Sequence, residues 1–316
     1  MKAIQLVNYG GPELLTIKEI PLPVCKPDEV LVRVEAVGLN YVDTLIRKGR
    51  HPILKQFPAV MPGEVEGIIE DAGKEVRHLY PGQRITGYAQ AGYAQFAVIP
   101  ASEVTLLPEE LPLGTGMLIH HLTAQNLLHQ SDGYDSLLIT AAAGGVGSSV
   151  IRIAGLKGVG TIIGMAGSAD KAGYVSSLGA TSTVIYTAGN WLDQLDALVE
   201  KKGIDLILDS VGGHVGAALL SRLARGGTMV VYGNSSGQPS IVDMSGLIMS
   251  NTRIVSARLY SAPLTLREQW TKEIIQWIRS GQLDVKITSY PLVDAARAHQ
   301  DMEERRSIGR LILQTW

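Results

Sequence analysis

The stretch Ser136-Leu137-Leu138-Ile139-Thr140-Ala141-Ala142-Ala143-Gly144-Gly145-Val146-Gly147 decides the fold of this 316-residue chain. Its first half is a short apolar run, as expected of a buried strand. Its second half is mostly Ala and Gly, and a helix is predicted to follow from about Gly145 to Lys157. Ala142, Gly144 and Gly147 occupy the small-residue positions of a G-x-G-x-x-G turn between strand and helix, with Gly145 and Val146 inside it. Such a turn lets backbone approach a pyrophosphate, and the helix start presents unpaired N–H groups and a positive dipole end to it. Alone, the turn is equally compatible with a tight connection that binds nothing.

Working outward removes that ambiguity. Downstream, strand and helix signals alternate: strand Thr161–Ala166, helix Ala169–Leu178, strand Thr183–Tyr186 and helix Trp191–Lys201. Strand Asp205–Asp209, helix Val215–Leu223 and strand Thr228–Tyr232 follow, and Arg253–Leu259 closes the series. Regular alternation of this kind builds a parallel sheet covered by helices on both faces, an α/β fold. Upstream the pattern differs. Val30, Val32 and Val34 alternate with Arg33 and Glu35 as in a half-buried strand, and Pro-Gly pairs punctuate the region at Pro62-Gly63 and Pro81-Gly82. The first third is therefore β-rich without βαβ units. The expected division is residues 1–120, 121–258 and 259–316, with the last segment, helical over Leu264–Ser280 and strand-like at Arg310–Leu313, returning to the first domain.

Composition limits the function classes. Hydrophobic residues make up 46% and charged residues 18%, an ordinary globular mixture. The net charge of −2 and the lack of a Lys/Arg-rich stretch argue against nucleic acid or an anionic membrane as partner. No apolar run is long enough to span a bilayer. The lone Cys25 excludes an internal disulfide and a cysteine-rich zinc cluster, which fits a reducing, cytoplasmic setting.

The end of the second alternating strand reports on the nucleotide. An NAD site places Asp or Glu there, on the ribose hydroxyls. Here the sequence is Met165-Ala166-Gly167-Ser168, with Lys171 within one helical turn. Absence of an acid and presence of an ammonium suit the 2′-phosphate of NADPH. Ser168 is either a donor to that phosphate or only a helix cap, and Asp170 softens the positive field.

With these residues in view, the sequence resembles the zinc-independent quinone oxidoreductase branch of the medium-chain dehydrogenase/reductase superfamily. The resemblance spans the chain and rests on Ala141 to Gly147, Leu122-Thr123-Ala124, Asp209-Ser210-Val211-Gly212 and Gly233-Asn234-Ser235-Ser236-Gly237. Gly38-Leu39-Asn40-Tyr41-Val42-Asp43 and Gly92-Tyr93-Ala94-Gln95 add to it. It implies a GroES-like β-rich catalytic domain, an inserted Rossmann domain, an active site in the cleft between them, and homodimers joined through the region of Arg253–Leu259. It also implies that Thr123 lies near the nicotinamide or its ribose, that Gly167, Ser168, Lys171 and Tyr186 surround the 2′-phosphate, that Ser210 lies beside the cofactor, and that Gly233 and Asn234 approach the nicotinamide side. Tyr186 has a competing reading as a strand-end core residue, and Asn234 as a turn cap. Zinc-dependent relatives carry Cys where Asn40 stands and His where Gly63 stands; Glu64 alone cannot build the usual tetrahedral N/S site, so no metal is expected.

The chemistry implied is hydride transfer from NADPH to a quinone or another α,β-unsaturated carbonyl. Charge then develops on the carbonyl oxygen and calls for a hydrogen-bond donor, for which Asn40 and Tyr41 are the candidates. Asp43 is an organiser of Asn40 or simply a helix cap. His120 and His121 are either proton donors or packed side chains, and Tyr88 and Tyr93 either line the cleft or pack between strands. The branch often carries tyrosines at the positions of Leu45 and His51 and an aromatic at Asn126, so the acceptor need not be a quinone. An enoyl thioester or alkenal reductase, and a low-turnover NADPH-binding sensor or structural protein, stand as alternatives.

Overall fold

The computed structural model describes residues 1–199 and 202–316, and all counts and absences below refer to those residues. The chain divides into two units, Met1–Ile119 with Lys286–Trp316, and His120–Val285.

The second unit is built on a six-stranded, fully parallel sheet. Its spatial order is Ser182–Ile185, Thr161–Ala166, Ser136–Ile139, Ile204–Asp209, Leu223–Val231, Arg253–Ser256. Numbered along the chain within the unit, that is 3-2-1-4-5-6, the doubly wound Rossmann order. The central strands are apolar along their length because helices cover both faces; Leu137, Leu138, Ile139, Leu206, Ile207 and Leu208 are all buried. The expected helix Trp191–Lys201 is observed as Trp191–Val199, and its last two residues lie outside the described ones.

The first unit carries a seven-stranded sheet. Ile287–Pro291, Arg310–Gln314, Glu29–Leu39, Gly63–Ala72, Arg84–Ala89 and Thr105–Leu106 follow in that order, and Phe96–Pro100 also pairs with Glu29–Leu39. A three-stranded sheet, Leu15–Glu19, Lys2–Leu6 and Ala59–Val60, packs with it around one core. The alternation read from Val30, Val32 and Val34 is what buries this face: all three are inaccessible, while Arg33 and Glu35 meet each other at 3.2 Å on the other side.

The point of return to the first unit differs from expectation. It begins at Lys286, not at residue 259. The helix Leu264–Arg279 stays with the second unit because its buried face, Trp270 and Ile274, finds partners there. Trp270 meets His129 edge-on at 5.6 Å, Gln125 donates to Glu273 at 3.2 Å, and Arg152 donates to the Gln282 carbonyl at 2.8 Å. Only Arg310–Gln314, antiparallel to Glu29–Leu39, with Ile287–Pro291 beside it, completes the first sheet. No helix is long and apolar enough to cross a membrane.

Candidate cofactor and active site

The nucleotide turn sits where strand order reverses in the second unit. Strands Ser136–Ile139 and Ile204–Asp209 are neighbours there, and their following segments depart in opposite directions, leaving a crevice at their carboxyl ends. Thr140 and Asp209 tie its floor together. The Thr140 hydroxyl donates to Asp209 Oδ1 at 2.9 Å and accepts the Ser210 N–H at 2.9 Å, while Asp209 also accepts N–H groups of Val211 and Gly212. Ala141 takes a left-handed conformation, φ 49°, which costs an L-residue about 1–2 kcal/mol and turns the chain sharply into Ala142.

The glycines of the turn have different reasons. A Cβ on Gly147 would meet the Ala141 carbonyl oxygen at 2.6 Å and Ala142 Cα at 2.7 Å, so glycine is required for the helix Gly145–Leu156 to pack on its strand. A Cβ on Gly145 would run into the His120 ring. Gly144 is different: its φ −81°, ψ 175° suits any residue, and a Cβ there would reach nothing nearer than Ala141 O at 3.4 Å. Nothing within the protein calls for glycine at Gly144. An external group passing close to the backbone at the helix start would call for one.

The ends of the second and third strands converge beside it. The Tyr186 hydroxyl would lie 3.2 Å from a Cβ on Gly167, and Thr187 donates to the Gly167 carbonyl at 3.0 Å. Ser168 is the N-cap of the helix Ala169–Ser177, and its oxygen accepts the Lys171 N–H at 3.4 Å. The cap leaves the hydroxyl proton free to donate elsewhere, so capping and phosphate binding are compatible. Gly167, Ser168, Lys171 and Tyr186 thus share one corner, and no acid stands at the strand end.

The fourth and fifth strands end in a second cluster. Ser235 N–H donates to the Ser210 carbonyl at 2.8 Å, and a Cβ on Gly233 would touch Ser210 Cβ at 3.0 Å. Asn234 Oδ1 accepts the Ser236 hydroxyl at 3.1 Å and lies against Gly212, so Asn234 braces its own turn. Thr123 lies three residues beyond His120 on the helix Ile119–Leu128, on the face that His120 turns to Gly145. His120 and His121 are both buried, and His120 is part of the turn's packing.

In the first unit, Asn40 is the N-cap of the short helix Tyr41–Arg47 and Asp43 stands at its N3 position in a capping box. Asp43 is fully buried and its Oδ2 accepts both the Asn40 N–H at 2.9 Å and the Tyr93 hydroxyl at 3.0 Å. Asp43 is therefore both organiser and cap. Burial, the largest cause, pushes its carboxyl up to about 7 against the two hydrogen bonds. Tyr41 is exposed and Asn40 nearly buried. Tyr93 is fully buried, on the side of Asp43.

Known proteins share this arrangement. Residues 26–109 match the family model described as alcohol dehydrogenase GroES-like domain, and residues 145–280 match the one described as zinc-binding dehydrogenase. A pig quinone oxidoreductase is 30% identical over 99% of this chain and 97% of its own. The chain belongs to the quinone oxidoreductase branch of the medium-chain dehydrogenase/reductase superfamily. A 2-haloacrylate reductase from a Burkholderia species is 29% identical, covering 96% of each chain. A mycobacterial protein solved in complex with NADPH superposes with a TM-score of 0.90 at 30% identity, each chain covered completely.

The zinc-binding description of one matching family model invites a test against the residues. No group of three or more His, Cys, Asp or Glu comes together among the described residues. Glu64 accepts the Ile119 N–H at 2.8 Å and lies in the field of buried Arg310, which lowers its pKa while burial raises it more. Glu66 accepts the Gly114 N–H at 3.0 Å and pairs with Arg84. These carboxylates hold the segment Gly114–Ile119, and Asn40 and Gly63 add neither the imidazole nor the thiolate that zinc sites use.

Several participants were not singled out by sequence reasoning. Thr140 lies inside the quoted stretch but carries no motif signal, and the left-handed conformation of Ala141 had none either. His299, whose Nε2 lies 3.1 Å from the Tyr93 hydroxyl, had none at all. Arg306 is held by Asp301 at 2.7 Å.

Proposed function

We propose that this chain is an NADPH-dependent, zinc-independent reductase that adds hydride to a quinone or another α,β-unsaturated carbonyl compound. The observation that carries this reading is Gly144, a glycine without an internal reason at the opening of a helix on the topological switch point. The NADPH-bound mycobacterial structure supports the choice of nucleotide, and the quinone oxidoreductase and 2-haloacrylate reductase relatives support an electron-poor acceptor.

Gly144 to Gly147, with Ala142, hold the pyrophosphate. Lys171, the Ser168 hydroxyl, Gly167 and Tyr186 receive the 2′-phosphate, where an ammonium adds a charge-assisted hydrogen bond. Thr123, Ser210, Gly233 and Asn234 orient the nicotinamide. NADPH, when bound, supplies the hydride. Asn40 and Tyr41 donate hydrogen bonds to the acceptor oxygen as negative charge grows on it, and Asp43 holds Asn40 in place. Solvent supplies the final proton.

The test follows NADPH and NADH oxidation with 1,4-benzoquinone, 9,10-phenanthrenequinone and short enals. The expected result is turnover with NADPH preferred, and a preference reduced about tenfold in Lys171→Ala, the worth of one charged hydrogen bond. Preference for NADH in the wild type contradicts the cofactor assignment. Tight NADPH binding without turnover of any acceptor favours the sensor alternative instead.

A homodimer is part of the same reading. Arg253–Ser256 is the open edge of the parallel sheet, and Ile241, Ile248 and Met249 beside it are 84%, 78% and 79% exposed. An unpaired edge flanked by large apolar side chains suits pairing with a second copy. Light scattering should give twice the 33.9 kDa chain mass, and Ile248→Glu should shift it toward monomer.

A further inference from the structure

We infer that Tyr93 and His299 are positioning residues of the reductase, acting through Asp43 to fix the turn that carries Asn40 and Tyr41. The inference rests on the reading that Asn40 and Tyr41 serve the acceptor. Its basis is a continuous buried chain of hydrogen bonds. His299 Nε2 lies 3.1 Å from the Tyr93 hydroxyl, the hydroxyl 3.0 Å from Asp43 Oδ2, and the same Oδ2 2.9 Å from the Asn40 N–H. Asp43, Tyr93 and His299 are each at most 1% exposed.

The protons in this chain are ordered by its geometry. Asp43 Oδ2 accepts from Asn40 and from Tyr93, so the carboxylate form satisfies both donors. Tyr93, having given its proton direction to Asp43, accepts from His299 Nε2–H. Asp43 Oδ1 and His299 Nδ1 have no hydrogen-bond partner among the described residues, so the order runs through this one path. A proton on Oδ2 would set a donor against the Asn40 N–H and the Tyr93 hydroxyl, and one on the unpartnered Oδ1 would weaken Oδ2 as their acceptor, so either loosens the turn at Asn40. Burial favours the neutral form of Asp43, and Glu64 on the strand Gly63–Ala72 adds to it. Burial, with Arg47 at the end of the helix of Asp43 and Lys48 just beyond it, keeps His299 neutral. Tyr88, on the strand Arg84–Ala89, faces Tyr93. On the helix of His299, Glu303 is engaged by Arg47 and Lys48, and Asp301 by Tyr290 and Arg306. Glu13, Lys18 and Glu19, on the segments that also pack there, are exposed, and Asp294 is half-buried.

The test uses the full chain with NADPH and an acceptor that the wild type reduces. Tyr93→Phe, His299→Leu and His299→Gln are compared for kcat, KM, NADPH affinity and the pH profile of kcat/KM, with hydrogen exchange of the peptide Asn40–Thr44 measured alongside. Tyr93→Phe should lower kcat about tenfold, the scale of a slightly misplaced catalytic group, with NADPH affinity unchanged. Its acid limb should move to higher pH, because a donor to the carboxylate is gone, and exchange at Asn40 should quicken. His299→Leu should follow it, and His299→Gln, which keeps a donor nitrogen, should recover most of the activity. A folded Tyr93→Phe with wild-type kcat, acid limb and exchange overturns the inference alone. A wild type that oxidises NADPH with no acceptor overturns the function reading, and this inference with it.

Discussion

The turn Ala142–Gly147 and the helix start Asn40–Asp43 solve similar problems by different means. Each fixes backbone where the proposed function places a polar ligand group. The first does so locally: small residues, one left-handed Ala141 and a helix opening, all within a few positions. The second does so through partners 50 and 206 residues away along the contact chain, from Asp43 to Tyr93 and from Tyr93 to His299. Backbone-driven sites are written in consecutive letters. Side-chain-driven sites are assembled by tertiary packing, so removing one member should alter charge balance as well as shape.

The largest effect is expected within the local site. In Gly147→Val the new side chain meets backbone that cannot yield, at 2.6 and 2.7 Å. The helix must lift from its strand, and NADPH binding should fall more than about 100-fold, a loss above ~2.7 kcal/mol, with a lowered melting temperature. Gly144→Ala sharpens the contrast. The apo protein should melt within a degree or two of wild type, because Ala fits the conformation and its Cβ makes only an ordinary contact with the Ala141 carbonyl oxygen. NADPH affinity should nevertheless drop about tenfold, or ~1.4 kcal/mol. Equal affinity for NADPH in wild type and Gly144→Ala would leave that glycine unexplained by a ligand.

A smaller effect is expected in the assembled site, and it is one of pH. Burial holds Asp43 up to about 7, from an ordinary 3.8. In that window the fold binds a proton that the unfolded chain does not, so this contribution to stability falls as pH rises. Burial, with Arg47 and Lys48, holds His299 down to about 3, from an ordinary 6.5. There the unfolded chain binds the extra proton, so this contribution rises with pH. The two slopes oppose each other across pH 4 to 6.5. Asp43→Asn should therefore lose melting temperature more steeply on acidification than wild type does, and His299→Gln on alkalinisation. Parallel Tm–pH curves for all three proteins would show that the two groups are not held as described.

The same contrast explains what the sequence disclosed. The alternating strands and helices from Ser136 onward predict the parallel sheet because each element is long and apolar on the buried side. The corner Gly167, Ser168, Lys171 and Tyr186 was legible because the acid-free strand end with Lys171 and the family resemblance both pointed to it. The return of the chain at Lys286 was not legible, since the helix Leu264–Arg279 chooses its unit by where Trp270 and Ile274 find partners. Nor was Tyr93, whose two readings, lining or packing, resolve only when Asp43 and His299 are placed against it. Leu45 and His51 fixed nothing about the acceptor, because side chains at those positions act through a pocket and not through a pattern.

The most direct test of the account follows the hydride itself. The protein is incubated with NADPH carrying deuterium at the nicotinamide C4 and with an enone such as a short alkenone, and the product is analysed by mass spectrometry and NMR. The account predicts a saturated ketone with deuterium on the carbon β to the carbonyl, formed faster with NADPH than with NADH. An allylic alcohol labelled at the carbonyl carbon, or no reduced product from any enone or quinone, would contradict it.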